Sequence, residues 1–193
     1  MNRGLLIVLS GPSGVGKGTI LGELMKKEEL NLVTSVSMTT REMRPGEQEG
    51  VNYYYVTKEE FMRAVENGEM LEHAEFVGNY YGTPLKEVER IRSMGKNCVL
   101  EIETQGCRQV QQKVPDVLSI FIIPPSMEEL ERRIRGRKTE PEEVIQERLA
   151  KAAQEMEMVS QYKYAVCNDD IQLAADIIAV IIQRYEQRIN EGK

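Results

Sequence analysis

The 193-residue chain has no tryptophan, one histidine and three cysteines. The cysteines show no CxxC spacing, and together with His73 they offer too few ligands for a His/Cys metal site. Cys98 and Cys167 lie in apolar runs typical of strands, so we expect both to be reduced core residues of a cytosolic protein. We expect His73 to be a partly exposed strand residue.

Long apolar runs and a surplus of basic residues are also missing. The run Gly4–Leu9 is too short for a membrane span or for the core of a signal peptide. We therefore expect a cytoplasmic protein without a membrane partner. The formal net charge of −6 argues against general nucleic-acid binding, which needs an excess of Lys and Arg. A few arginines suffice for a small phosphorylated ligand, so that class stays open.

Short apolar runs alternate with longer amphipathic ones, which predicts an α/β fold with a mostly parallel sheet flanked by helices. Strands are predicted at Leu5–Leu9, Cys98–Ile102, Leu118–Ile123 and Tyr164–Cys167. Helices are predicted at Lys17–Glu28, Pro84–Ser93, Gln105–Lys113, Ser126–Arg135, Pro141–Tyr162 and Asp170–Gln187.

Two stretches break this alternation. Residues 34–83 combine an Arg-Pro-Gly turn, three consecutive tyrosines and short strand-like pieces around a helix at Lys58–Asn67, which indicates an inserted mixed α/β binding element. Residues 126–154 form two charged helices that we expect to cover a site rather than build a core. The predicted organisation is one domain, 1–193, with a core at about 1–33, 84–125 and 155–193, the insert at 34–83 and a lid at 126–154.

The first predicted strand runs directly into GPSGVGKGT at 11–19, and a helix follows. This is the G-x-x-x-x-G-K pattern of a P-loop, in which glycines let backbone N–H groups wrap a phosphate at a helix N-terminus. Lys17 adds a positive charge beside the β and γ oxygens. Gly18 stands where Ser or Thr is usual, and the hydroxyl comes one residue later, at Thr19. We therefore predict no direct side-chain ligand for Mg²⁺, which would be held by nucleotide phosphates and water.

A P-loop alone fits GTPases, ATPases and kinases, so the acceptor has to be identified elsewhere. Arg41 and Arg44 lie three residues apart beside a Pro-Gly turn, a spacing that can direct both guanidinium groups at one phosphate. Tyr53 and Tyr81 offer hydroxyl donors. A solvated charged loop with two core tyrosines explains the same residues equally well.

The ordered set of motifs resembles the guanylate kinase family over nearly the whole chain. The motifs are GPSGVGKGT at 11–19, SVSMTTREMRPGE at 35–47, GVNYYYVT at 50–57, NYYGT at 79–83, EIETQG at 101–106, GRKTE at 136–140 and ND at 168–169. The resemblance implies the fold of a P-loop nucleoside monophosphate kinase, with GMP and ATP as substrates and Mg²⁺ arriving with ATP. It also implies a place in purine nucleotide metabolism.

The resemblance implies a role for each matching residue. GMP phosphate ligands would be Arg41, Arg44, Tyr53 and Tyr81, and guanine contacts would be Ser37, Glu72, Thr83 and Glu101. Guanine presents two adjacent donors, N1–H and the N2 amine, so a carboxylate such as Glu72 suits it and disfavours adenine. Glu101 departs from the Asp that is common there. ATP contacts would be Gly11, Pro12, Ser13, Gly14, Val15, Gly16, Lys17, Gly18, Thr19, Arg133, Arg137 and Asn168.

The lid arginines differ in how well surface ion pairs explain them. Arg132, Arg133 and Arg135 each follow a glutamate by four residues, whereas Arg148 has no acidic residue three or four positions away. The family uses arginines at the positions of Arg137 and Arg148 on the ATP phosphates. The expected catalytic residues are therefore Lys17, Arg41, Arg137 and Arg148, with Arg133 as a weaker third ATP-contacting arginine of the lid.

The sequence thus predicts an enzyme that transfers the γ-phosphoryl group of MgATP to GMP. Two alternatives stay open at this point: a kinase for another nucleoside monophosphate, and a non-catalytic scaffold of the same fold that binds protein partners. The sequence does not indicate an oligomeric state.

Overall fold

The computed structural model describes residues 3–76, 78–136 and 141–191. Along these ranges lie nine strands: β1 Leu6–Ser10, β2 Leu32–Thr34, β3 Ser37–Thr39, β4 Tyr53–Tyr55, β5 Met70–Phe76, β6 Asn79–Pro84, β7 Asn97–Glu101, β8 Leu118–Ile123 and β9 Tyr164–Cys167. The α-helices are α1 Lys17–Met25, α2 Lys58–Glu66, α3 Leu85–Ser93, α4 Thr104–Lys113, α5 Met127–Arg135, α6 Glu142–Met156 and α7 Ile171–Glu191. The α/β class with a mostly parallel sheet is confirmed.

Five parallel strands in the order β2-β7-β1-β8-β9 form the first sheet. All five residues of β1 are buried, because this strand lies in the middle with helices on both faces. A parallel sheet brings the carboxyl ends of its strands to one edge, where ligands bind in open α/β folds. β1 therefore delivers the P-loop to that edge, and β7 delivers Glu101 beside it.

A second, mixed sheet has the order β4-β3-β6-β5. β3 pairs in parallel with β4 and antiparallel with β6, which in turn pairs with β5. The helix between β4 and β5, α2, begins with a complete capping box formed by Thr57 and Glu60. Four strands and one helix thus occupy the stretch predicted as an insert, while its exact boundaries stay a prediction.

Several sequence expectations need correction. α1 ends at Met25 and α6 at Met156, each followed by a short 3₁₀ turn, so both predicted helices were too long. Cys167 is exposed rather than buried, because β9 is an edge strand in which only Val166 faces the core. Cys98 and Cys107 are buried, and His73 is partly exposed as expected.

The two charged helices also build core, contrary to expectation. Leu130 and Ile134 of α5 and Ala152 of α6 are at most 1% exposed, within the same hydrophobic cluster as β1 and α7. These few apolar positions are spaced so that one face of each helix packs inward. α5 is consequently anchored to the core beside the P-loop.

Asn97 joins three parts of the core through its side chain. Its Oδ1 accepts from the backbone N–H of Leu5 at 2.8 Å, and its Nδ2 donates to the Leu30 carbonyl at 2.9 Å. The residue is 2% exposed, so water cannot replace either bond.

We expect Asn97→Ala to lower the free energy of unfolding by about 2 kcal/mol, because two buried backbone groups lose their partner. Denaturant unfolding measures this value. Asn67→Ala is the control, since Asn67 is exposed and its side chain donates to the Glu69 carboxylate on the surface. An equal, small effect of both substitutions would contradict the role of Asn97.

Candidate active site

The P-loop turns between β1 and α1 in a conformation that requires glycine. Gly16 has φ 98°, and a Cβ there would lie 2.5 Å from the Asn168 side-chain nitrogen. A Cβ on Gly11 would lie 2.4 Å from the Ile122 carbonyl oxygen. The loop is therefore shaped by the absence of side chains and by the strand edge against which it packs.

Two residues from other elements hold the loop from behind. Asn168, 2% exposed, donates from Nδ2 to the Val15 carbonyl at 2.7 Å. Arg133 donates to the Asn168 carbonyl at 3.0 Å and pairs with Glu129 at 2.8 Å. Both predicted ATP contacts thus touch the P-loop or its brace.

Lys17 folds back on its own loop, donating to the carbonyls of Gly11 at 2.6 Å and Pro12 at 3.2 Å. Burial lowers the pKa of Lys17, while the charges of Glu101, Glu155 and Glu103 raise it. The surrounding carboxylates therefore favour the ammonium form that a phosphate ligand needs.

A cleft of about 660 Å³ opens between the P-loop and the second sheet. Of the predicted site residues, those lining it are Gly11, Ser13, Gly14, Gly16, Lys17, Gly18, Thr19, Ser37, Tyr53, Glu72, Tyr81 and Glu101. The structure therefore gathers the phosphate cradle and most of the predicted guanine and phosphate contacts around one space.

A second cavity of about 770 Å³ lies on the other side of the P-loop. It shares Gly14, Gly16 and Thr19 with the cleft and is also lined by Arg133 and Asn168. The P-loop thus borders both spaces, so a ligand that it holds could reach from one space into the other.

At the far end of the cleft, Glu72 is 5% exposed and accepts a hydrogen bond from the Thr83 hydroxyl at 2.5 Å. Burial raises the pKa of Glu72, and its hydrogen bonds from Thr83 oppose the rise. Thr83 lines an adjoining cavity with Ser37 and Glu101 rather than the cleft itself. A buried carboxylate facing a cleft is suited to accept from a pair of N–H donors.

Glu101, at the carboxyl end of β7, faces the P-loop. Its carboxylate oxygens lie 3.6 and 3.7 Å from the position of a Cβ on Gly18. Desolvation of the carboxyl group by the surrounding protein raises the pKa of Glu101, and the positive charge of Lys17 opposes this rise. Glu101 thus lies between the P-loop and the predicted guanine site, near enough to affect either.

Arg41 is held by a residue that the sequence interpretation did not single out. Its guanidinium pairs with Glu47 at 2.8 Å and lies 5.5 Å from the centre of the Tyr53 ring. Glu47 also accepts from the Arg44 backbone N–H at 2.8 Å and from the Tyr55 hydroxyl at 2.7 Å. Hydrogen bonds from Arg41, Arg44 and Tyr55 lower the pKa of Glu47 to about 2. Glu47 could have been identified from the sequence by its place at the end of the motif at 35–47.

Arg41 and Arg44 differ in exposure. Arg41 is partly buried beside its aromatic neighbours, whereas Arg44 is exposed, and neither of the two lines the cleft itself. Tyr53 and Tyr81 lie edge to face with ring centres 5.9 Å apart, beside Arg41. The loop therefore presents one ordered and one solvent-facing guanidinium near the cleft entrance.

α6 brings one face to the P-loop. Arg148 donates to the Ser13 hydroxyl at 2.8 Å and so lies beside the loop, while its contact with ATP stays a prediction. Arg137 lies outside the described residues. Arg132 pairs with Glu129 at 2.7 Å rather than with Glu128, because Glu128 is held by its helix N-terminus and Ser126.

Glu155 follows Arg148 by seven residues on the same helical face, the signal by which it could have been found. It is 6% exposed, lines the cleft, and its Oε2 has no hydrogen-bond partner within the described part of the chain. Burial raises the pKa of Glu155, while the charges of Lys151 and Lys17 and the Ser13 N–H lower it. A buried carboxylate thus contributes to the electrostatics of the phosphate cradle.

The residues around the P-loop fit a magnesium ion that arrives with a nucleotide. Across residues 3–76, 78–136 and 141–191 there is no cluster of three or more His, Cys, Asp or Glu able to hold a metal by itself. Glu101 nevertheless supplies a carboxylate beside Lys17, and oxygen is the ligand that Mg²⁺ prefers. None of the helices in these ranges is both long and apolar enough to cross a membrane.

Comparison with known proteins identifies a family. The family model described as Guanylate kinase matches residues 3–185. Guanylate kinases of Lactococcus lactis subsp. lactis and Enterococcus faecalis are 52% and 53% identical over 188 residues, which is 97% of this chain and 91% and 92% of theirs. A crystal structure of guanylate kinase from Anaplasma phagocytophilum matches with a TM-score of 0.74 and 41% identity, covering 95% of this chain and 86% of that one.

An NMR pH titration of the Glu47 carboxyl tests the arrangement of the arginine loop. We expect a midpoint near 2. Because the pKa is depressed on folding, the bracing is complete above the usual carboxyl range and is lost as the pH falls towards 2. Arg41→Ala should raise the pKa towards its ordinary value of 4.5, since the Arg41 side chain is the largest cause of the depression.

Arg44→Ala is the matched control for this titration. Arg44 acts on Glu47 through its backbone N–H, which alanine retains, so the pKa should stay low. Equal rises in both variants, or a wild-type midpoint near 4.5, would contradict the proposed bracing.

Proposed function

Because the chain belongs to the guanylate kinase family, a nucleoside monophosphate kinase family, we propose that its cleft binds GMP and MgATP together and transfers the γ-phosphoryl group from ATP to GMP. The observation that carries this proposal is that the P-loop with Lys17 and the buried Glu72 carboxylate line one cleft, while a second cavity adjoins the P-loop. The products are ADP and GDP.

The acceptor is proposed to bind along the second sheet. Glu72 would accept from guanine N1–H and N2, and the hydroxyls of Ser37 and Thr83 lie close enough to the same end to contribute. Arg41 and Tyr53, with Tyr81 and Arg44, would bind the phosphate at the loop end. Adenine presents an acceptor at N1, which would face the Glu72 carboxylate unfavourably.

ATP is proposed to bind with its phosphates in the P-loop and its base in the second cavity near Asn168. Lys17 would exchange its bonds to the Gly11 and Pro12 carbonyls for bonds to phosphate oxygens. Arg148 and Arg133 would approach the phosphates from the lid side, and Arg137 is predicted to do so from the sequence. Magnesium, when bound with ATP near Glu101, would neutralise phosphate charge.

The transfer needs no general base, because the attacking oxygen of GMP is already ionised. Catalysis then consists of holding the two phosphates in line and offsetting their charge with cations in a cleft shielded from water. The negative net charge of the chain is consistent with an enzyme that acts on small molecules in purine nucleotide metabolism. The cytoplasmic location stays a prediction.

The direct test measures ADP formation by the purified protein with MgATP and, separately, GMP, AMP, UMP, CMP, dTMP or no acceptor. We expect activity that depends on GMP. Activity with a different monophosphate would overturn the guanine assignment, and ATP binding without transfer to any acceptor would overturn the proposed reaction.

We expect Lys17→Met and Arg148→Met each to lower kcat by on the order of 10³-fold, because each removes a cation from the transferred phosphoryl group. Steady-state assays with saturating GMP and ATP measure this. The controls are Lys26→Met and Arg184→Met, which change exposed residues of α1's end and of α7. Near-normal turnover in either site variant would contradict its assigned role.

A further inference from the structure

Side chains on one face of α4 form hydrogen bonds with the backbone of β5, the strand that contains Glu72. Gln109 donates from Nε2 to the His73 carbonyl at 2.8 Å and accepts from the His73 N–H through Oε1 at 3.1 Å. Lys113 donates to the Met70 carbonyl at 2.8 Å. These bonds fix the β5 backbone on both sides of Glu72 to a helix of the core.

Gly106 lies on the same face, three residues before Gln109 and seven before Lys113. A Cβ on Gly106 would lie 2.5 Å from Glu72 Oε2 and 3.2 Å from its carboxyl carbon. Gly106 is helical and has no positive φ, so alanine suits its backbone. The requirement for glycine here is therefore room for the carboxylate.

Glu72 has little freedom to give way. Its Oε1 is bonded to the Thr83 hydroxyl, its strand is fixed by Gln109 and Lys113, and the residue is 5% exposed. An added methyl group on Gly106 therefore has to push the carboxylate towards the cleft, which both residues line.

We propose that Gly106 is a specificity-determining residue, whose missing side chain lets Glu72 take the position from which it reads the guanine edge, while α4 holds that position through Gln109 and Lys113. This inference rests on the proposed function, since it presumes that Glu72 binds guanine. Gly106 acts through Glu72 and is a positioning residue.

A displaced Glu72 carboxylate would affect recognition of the guanine N2 amine, which GMP has and IMP lacks. A correctly placed carboxylate accepts from both N1–H and N2, whereas IMP offers only N1–H. A displaced carboxylate loses the paired contact, so selectivity for GMP over IMP falls more than catalysis of phosphoryl transfer does.

The experiment measures kcat and KM for GMP, IMP and ATP in the wild type, Gly106→Ala, Glu72→Gln and Gly22→Ala. Gly22→Ala is the matched control, because Gly22 is also helical and a Cβ there meets nothing within 4 Å. We expect Gly106→Ala to lower the GMP/IMP ratio of kcat/KM at least tenfold and to leave the KM for ATP unchanged. Gly22→Ala should keep both values.

Glu72→Gln distinguishes a failure of the inference about Gly106 from a failure of the proposed function. If it loses GMP/IMP selectivity while Gly106→Ala keeps it, the inference about Gly106 is overturned and the proposed function stands. If Glu72→Gln keeps full selectivity, the guanine-binding role of Glu72 fails, and the inference with it. Loss of selectivity in both variants supports the inference.

Gln109→Ala loosens the attachment of β5 to α4 without adding a clash beside Glu72. It tests whether α4 positions Glu72 even if Gly106→Ala does not fold. We expect it to raise the KM for GMP about tenfold and to lower the GMP/IMP ratio, with the KM for ATP unchanged. Gln111→Ala is the control, since Gln111 donates to Ser119 and Gln161 instead of β5. Equal effects of the two glutamine substitutions on GMP would overturn the proposal.

Discussion

A phosphate cradle made of backbone N–H groups needs a loop that no side chain obstructs, and the site depends on this constraint. Between β1 and α1 the constraint is met by glycines pressed against the Ile122 carbonyl and the Asn168 amide. Asn168 also holds the Val15 carbonyl, and Arg133 holds Asn168. The loop is therefore shaped jointly by the parallel sheet, the segment between β9 and α7, and α5, and we expect a change in any of these to alter the cradle.

The position of the cradle determines how charge is distributed around it. Lys17 is partly buried and faces Glu101, Glu103 and Glu155, which oppose the lowering of its pKa by burial. Arg148 reaches the loop from α6, while Arg41 is kept ordered at the other end of the cleft by Glu47. Cations thus lie around the cleft before nucleotides bind, held by the Gly11 and Pro12 carbonyls, the Ser13 hydroxyl and the Glu47 carboxylate.

Features coded by adjacent residues could be predicted from the sequence. The P-loop is one continuous segment between a buried strand and a helix, so its glycines and Lys17 were identifiable from spacing alone. Family resemblance placed Glu72, Thr83 and Ser37 near one another, and the structure brings them to neighbouring strands. The core role of Leu130 and Ile134 was missed because a highly charged helix with two apolar positions looks like a surface cover.

Contacts between distant segments could not be predicted in this way. Gly106 and Glu72 are 34 residues apart, and their contact exists only because α4 packs on β5. The Asn97 side chain bridges backbone groups of Leu5 and Leu30, which no local pattern encodes. The spacing from Arg148 places Glu155 on the same helical face, but the burial of Glu155 arises only because α6 packs beside the P-loop. In each case the physical effect depends on burial, which spacing along one chain does not report.

The central claim is that Glu72 binds guanine while the P-loop, which lines the same cleft, holds the phosphates of ATP. A crystal structure with GMP and a non-hydrolysable ATP analogue tests it most directly. The account predicts guanine N1 and N2 within hydrogen-bond distance of the Glu72 carboxylate, the GMP phosphate beside Arg41, and the triphosphate in the P-loop with its base near Asn168. A guanine bound away from Glu72, or a triphosphate bound away from the P-loop, would contradict it.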